Sequence, residues 1–320
     1  MVMSMPTNHA ADKITWAQLA QTGAAVALLV TVTLAEEKPN HASSVGNPAD
    51  VMRKVAENEV KAANDEFNRV FFRGVKTTPK GSATHIYVQT RQATAGKLIA
   101  TNGQPLKAEE RQSEEARIER FINNPQELKK KCEQDHDTAE RTMRIVRALP
   151  DAFLFSYAGQ EAGTGKIGRA NSQLLKFNFH PNPAYQPPTR VEEVLTGLQG
   201  YVLVDAENLR LAALDGTLFK DVAFGWGILG HLNKGSRFAV QQVKLDDGLW
   251  QVSSVTFNFT GKVLMLKSIN VNATEVFSGF QRIPAELSLV QALEFMKHQS
   301  SAMSANSVAT NLGLRKVAAQ

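Results

Sequence analysis

Gly200-Tyr-Val-Leu-Val-Asp205, Leu209-Arg-Leu-Ala-Ala-Leu214, Phe238-Ala-Val-Gln-Gln-Val-Lys244, Trp250-Gln-Val-Ser-Ser-Val-Thr-Phe-Asn-Phe-Thr260 and Lys262-Val-Leu-Met-Leu-Lys-Ser-Ile-Asn-Val-Asn272 follow one another within residues 200–280. These short runs are rich in Val, Leu and Phe. The dipeptides Asp215-Gly216 and Thr260-Gly261 and the tripeptide Asp246-Asp247-Gly248 separate them. Apolar runs broken by such signals predict an antiparallel meander. Val255, Phe257 and Phe259 share one face, and Thr256, Asn258 and Thr260 share the other, because side chains alternate along a strand. A sheet with one apolar face must be covered by helices or by a ligand.

Upstream, the same signals extend the sheet. Asp151 to Gly159 and Leu174 to His180 read as strands, with Leu175, Phe177 and Phe179 facing one way. Earlier still, residues 84–91 read as a strand with Ile86 and Val88 on one face. Lys97-Leu-Ile-Ala-Thr-Asn-Gly-Gln-Pro-Leu106 reads as a strand, an Asn-Gly turn and a Pro that stops pairing.

Helices complete the pattern. Asn47-Pro48 starts one, and Val51, Val55, Val60, Ala63, Phe67, Val70 and Phe71 give it an apolar stripe over residues 50–72. Residues 107–149 form a charged helical insertion broken at Asn124-Pro125, with Asn124 as N-cap. Its second stripe is thin (Leu128, Cys132, Ala139, Met143, Val146, Leu149), which suits one edge of contact or an interaction arm. Ser288-Leu-Val-Gln291 is a capping box opening a last helix along Leu289, Ala292, Leu293 and Met296. The expected domains are a single α+β unit at 49–297, a linker at 36–48 and a disordered Ser/Ala/Asn-rich tail at 298–320.

Composition narrows the function classes. The 320 residues carry a formal charge of +5 with charges interleaved, so no nucleic-acid stripe is expected. One cysteine, Cys132, permits no intrachain disulfide. No charged residue lies between Lys13 and Glu36. The apolar core Ala24-Ala-Val-Ala-Leu-Leu-Val-Thr-Val-Thr-Leu-Ala35 suits a signal peptide over 1–35 better than a spanning helix, which needs ~20 apolar residues. The expected location is periplasmic or secreted, with an inner-membrane anchor as the alternative.

Apparent cofactor motifs lack their context. Gly163-Thr-Gly-Lys-Ile-Gly168 and Gly225-Trp-Gly-Ile-Leu-Gly230 match G-x-G-x-x-G, but no helix is predicted after either, so neither is expected to hold a dinucleotide. Cys132 and His136 have no third metal-ligand neighbour. No catalytic residues, cofactor or metal are assigned, and Asp205 is expected to cap a turn.

The segments at 97–106 and 149–159, Phe177-Asn-Phe-His-Pro-Asn-Pro183 and Gly200 to Asp205 resemble an uncharacterised group of secreted bacterial proteins of acidobacterial type. The order of sheet and helices, and Asp246-Asp-Gly-Leu-Trp250, are similar to the LolA/RseB-like superfamily of periplasmic lipid and lipoprotein binders. That resemblance implies a strongly curved antiparallel sheet, an incomplete barrel, with helices covering its concave face. It also implies a cavity for an acyl chain, lipid or lipoprotein. By side-chain direction the cavity is expected at Val255, Phe257, Phe259, Val263 and Met265, with Trp226 and Phe224 on a glycine-rich gate. The alternative is a filled core in an envelope scaffold or stress sensor that binds a protein partner.

Overall fold

A computed structural model describes residues 46–65, 69–224, 230–263 and 267–297. The fold is α+β and is dominated by one large antiparallel sheet that does not close. The strands are β1 (Val70–Thr78), β2 (Gly81–Gln89), β3 (Thr94–Thr101), β4 (Gln104–Pro105), β5 (Phe153–Ala162), β6 (Gln173–Pro181), β7 (Leu198–Asp205), β8 (Leu211–Leu218), β9 (Val222–Phe224), β10 (Gly230–Leu232), β11 (Arg237–Lys244), β12 (Trp250–Val263) and β13 (Lys267–Arg282). The helices are α1 (Pro48–Ala63), α2 (Ala108–Asn123), α3 (Pro125–Ala152) and α4 (Leu289–Lys297), with a 3-10 turn at Glu192–Gly197.

The strand order is β4-β3-β2-β1-β13-β12-β11-β8-β7-β6-β5, with β10 joining β12 and β9. From β5 onward the chain meanders to β13, and β13 then pairs with β1. Among the described residues the main path therefore ends at β3–β4 and at β5, and off it β9 pairs with β10 alone. Helices α2 and α3 form the chain between β4 and β5.

Local sequence explains most boundaries. Asn47 caps α1 by accepting from the Ala49 N–H at 3.1 Å, and Asn124 caps α3 by accepting from Gln126 and Glu127. Ser288 and Gln291 exchange both capping-box bonds. Asn102 and Gly103 both take positive φ, +50° and +75°, as a two-residue hairpin turn requires.

Three sequence expectations are corrected. Val70 and Phe71 belong to β1, because α1 stops at Ala63 with Asn64 as its cap; Phe67 lies outside the described residues. Asp215-Gly216 and Thr260-Gly261 are not turns but run inside β8 and β12. Their glycines serve close approach instead. Gly216 faces Gly200 across β7–β8, where a Cβ on Gly200 would stand 1.9 Å from the Asp215 carbonyl oxygen. A Cβ on Gly261 would stand 2.1 Å from the His231 carbonyl oxygen. Lys262 and Val263, read as opening the last strand, therefore end β12.

One principal core joins the sheet to the helices. Met52 and Val55 of α1 and Ile145 and Leu149 of α3 share it with Phe177, Val202, Leu214, Phe238, Val240, Val255 and Phe257. A second core packs α4 (Leu289, Leu293, Met296) and Ile118 of α2 with Phe71, Ile86, Val88 and Ile99. The charged stretch at 107–149 thus inserts buried side chains at both ends rather than standing free as an arm.

Candidate functional site

The apolar face expected to line a cavity is occupied by protein. Val255 is fully buried. The Phe257 ring stands 4.9 Å from Phe238 and 5.8 Å from Phe259, edge to face, an arrangement aromatic pairs favour. Phe259 is partly buried at the margin of the same cluster. Phe224 and Val263 fall on β9 and β12, with side chains outside the described set, and Trp226 and Met265 lie outside the described residues.

Open space is found elsewhere, in a polar cleft of about 520 Å³. One wall is the end of α1 with the start of β8 and the base of the β11–β12 hairpin. The other is the middle of α3 with the β2–β3 loop. Glu59 organises the first wall. Its carboxylate accepts from Arg210 Nε at 2.7 Å and Nη2 at 3.2 Å, from the Leu211 N–H at 2.9 Å and from Gln242 Nε2 at 3.1 Å. Such a bidentate pair is among the stronger charge-assisted contacts. Leu209, just before Arg210, adopts φ +46°, rare for a branched side chain. Asn58 Nδ2 donates to its carbonyl at 3.1 Å and to that of Asn208, which holds the strained turn in place. The Arg210 guanidinium stacks 5.7 Å over the Trp250 ring. The Trp250 indole N–H is buried and has no hydrogen-bond partner among the described residues.

On the opposite wall, Asp135 accepts from the Thr94 N–H at 2.9 Å and pairs with Lys131 at 3.0 Å. Arg69, Arg91, His136 and Glu140 complete the charged lining. Three arginines (Arg69, Arg91, Arg210) and three carboxylates (Glu59, Asp135, Glu140) line the cleft, so their formal charges cancel. Met143, Trp250, Val252 and several alanines also line the cleft, so its lining is mixed, with charged groups prominent, which suits a polar or amphipathic surface.

A polar island interrupts the apolar face near β1, β2 and β13. The Tyr87 hydroxyl donates to Glu275 Oε1 at 2.8 Å, both side chains being buried. Burial pushes the Glu275 carboxyl above its usual range, opposed by the Tyr87 hydrogen bond and by Lys76. Burial also raises the Tyr87 phenol, reinforced by Glu275. His85 stacks on Tyr87 at 5.7 Å, and burial lowers its imidazole to about 4. Its Nδ1 is buried without a partner among the described residues. A Cβ on Gly74 would meet the Tyr87 ring at 2.8 Å and Glu275 at 2.9 Å, so the island is close-packed with no room for a substrate.

The remaining sequence candidates are placed as follows. Asp205 accepts from the Asn208 N–H at 2.8 Å and caps the β7–β8 turn, as expected. Gly163 to Gly168 is a turn between β5 and β6 with no helix after it. Most of the second glycine motif lies outside the described residues. Cys132 is partly buried, and burial followed by Asp135 raises its thiol, which disfavours a reactive thiolate. Among the described residues no group of three or more His, Cys, Asp or Glu is placed to hold a metal, and no helix is long and apolar enough to cross a membrane. Sequence reasoning missed the cleft, because its walls come from six separate elements. The one local signal was Asp246-Asp-Gly-Leu-Trp250, which positions Trp250 but does not reveal its neighbours.

Comparison with protein-family models, with curated proteins and with solved structures gives no match.

Proposed function

We propose that the protein is a non-catalytic envelope scaffold that binds a protein partner at the polar cleft. What supports this reading is that Val255 and Phe257 are buried in one core cluster that also holds Met52, Val55, Ile145 and Leu149, which leaves that face without an open lining for an acyl chain. In this reading the sheet curves, and α1 with the end of α3 covers its hollow side as a permanent core. The open cleft then offers the contact surface through its exposed residues Arg91, His136 and Glu140, with Trp250 and Arg210 largely buried in its wall. The uncharged stretch between Lys13 and Glu36 supports an envelope location.

The test is a pair of measurements on residues 36–320. The scaffold reading expects no co-purifying lipid by mass spectrometry and no displacement of a fluorescent fatty acid. It also expects cross-linking to an envelope protein that is lost on Arg91→Glu with His136→Glu, two exposed cleft positions. Bound lipid with saturable displacement would restore the acyl-chain reading, centred on the partly buried margin at Phe259 and Val271. Deleting 107–149 is no test, because Ile118 and Ile145 are core residues.

A further inference from the structure

We infer that β5 is a docking edge for a second copy of this chain, joined by antiparallel strand addition. This goes beyond the cleft reading and does not depend on it. Strand β5 bonds β6 on one side only. Asn182 N–H donates to the Ala152 carbonyl at 2.8 Å, and pairing alternates from there, so Leu154 and Ser156 turn their backbone groups toward β6. Phe155 and Tyr157 turn theirs away. Among the described residues, nothing outside β6 bonds the backbone of Leu154 to Ala162.

Sheet edges are ordinarily blunted by Pro, Lys, bulges or a covering element. Phe153-Leu-Phe-Ser-Tyr-Ala158 has neither Pro nor Lys, and its pairing with β6 is regular through Tyr157. Leu154 is 44% exposed, an unusual position for a large apolar side chain on a bare edge.

The occupant follows from charge and register. Phe153 to Ala158 carries no charge, so the stretch meets its own copy without repulsion. Glu161, the sole charge in β5, lies beyond the bulge and is bound to Lys176 at 2.6 Å. A twofold axis at Phe155 pairs Phe155 with Phe155 of the second copy and Phe153 with its Tyr157. The outward N–H and C=O groups of both copies are then satisfied, and Leu154 lies opposite Ser156. Pairing of so short a strand buries less than the ~1,200–2,000 Å² of a standard stable interface, so a micromolar dimer is expected.

The experiment uses the full chain. Sedimentation equilibrium over the micromolar range is combined with amide hydrogen exchange at low and high protein concentration. The expected result is a reversible dimer in which exchange at Phe155 and Tyr157 slows at least ~tenfold as concentration rises. Leu154→Lys with Ser156→Lys places like charges directly opposite one another on an exposed face, and is expected to give a monomer with an unchanged melting curve. A wild-type chain monomeric throughout would overturn the inference. So would a dimer that leaves exchange at Phe155 and Tyr157 unchanged, or one that survives the double substitution.

Discussion

At one end of the sheet, helices α2 and α3 reach over and satisfy the outer backbone groups of β3. The Thr94 N–H donates to Asp135 at 2.9 Å, the Gly96 carbonyl accepts from Arg117 at 2.7 Å, and the Leu98 N–H donates to Glu114 at 2.8 Å. At the other end, Phe155 and Tyr157 of β5 present the same kinds of group with no described partner. Three charged side chains do for β3 what a neighbouring strand would do. The contrast shows that charge on a helix can be edge protection rather than solvated surface, and that one edge of this sheet lacks such protection.

The largest expected effect comes from acid, which attacks the protected end. His85 lies on β2 opposite Leu98 of β3. Burial holds its imidazole at about 4, with Glu114 pulling it up and Arg117 and Lys76 pushing it further down. The folded state therefore keeps His85 neutral where the unfolded chain, near 6.5, takes up a proton. The stability is whole above pH 6.5 and is lost as pH falls through about 4, by up to about 3 kcal/mol. Glu275 runs the opposite way, because its raised carboxyl favours the fold as pH falls. The readout is therefore the difference between wild type and His85→Gln in urea melts from pH 8 to 4. Parallel curves for the two proteins would show that His85 is not titrating as described.

Next comes Glu114→Ala, expected to cost about 2–3 kcal/mol. It strands the Leu98 N–H and removes the partner of Arg117, which lies 2.7 Å away. Arg117 is about a third exposed, which keeps the loss below that of a fully buried pair. Glu114→Gln keeps an acceptor and is expected to lose about half as much. Exposure of β3 is also expected to produce concentration-dependent association, which light scattering detects.

Asp135→Asn is smaller, about 1 kcal/mol, because the amide oxygen can still accept from Thr94 while the pairing with Lys131 is lost. A loss of this size without association would show that Glu114 and Arg117 alone suffice to seal the edge.

The meander, its strand order from β5 to β8, both helix N-caps and the capping box were legible because each rests on residues adjacent in sequence. Two apparent turns were misread for a physical reason. Glycine supplies positive φ in a turn but also close backbone approach inside a sheet, and Gly216 and Gly261 serve the second use. The caps on β3 were illegible. Glu114 and Asp135 lie 16 and 41 residues from the groups they bind, and nothing local separates them from the solvated carboxylates beside them. The cleft was hidden for the same reason, since Glu59 and Arg210 meet across 151 residues.

On the bare edge, a single charge is expected to change almost nothing in the fold. Leu154 points to solvent and its backbone bonds β6, so Leu154→Lys disturbs neither the core nor an internal hydrogen bond. Surface substitutions of this kind stay within about 0.5 kcal/mol. Equal melting curves for wild type and Leu154→Lys, measured at a concentration too low for association, would show that β5 is left open without contributing to the stability of the monomer. A loss above about 1 kcal/mol would mean that Leu154 does contribute to the stability of the monomer, and the contrast between the two edges would fail.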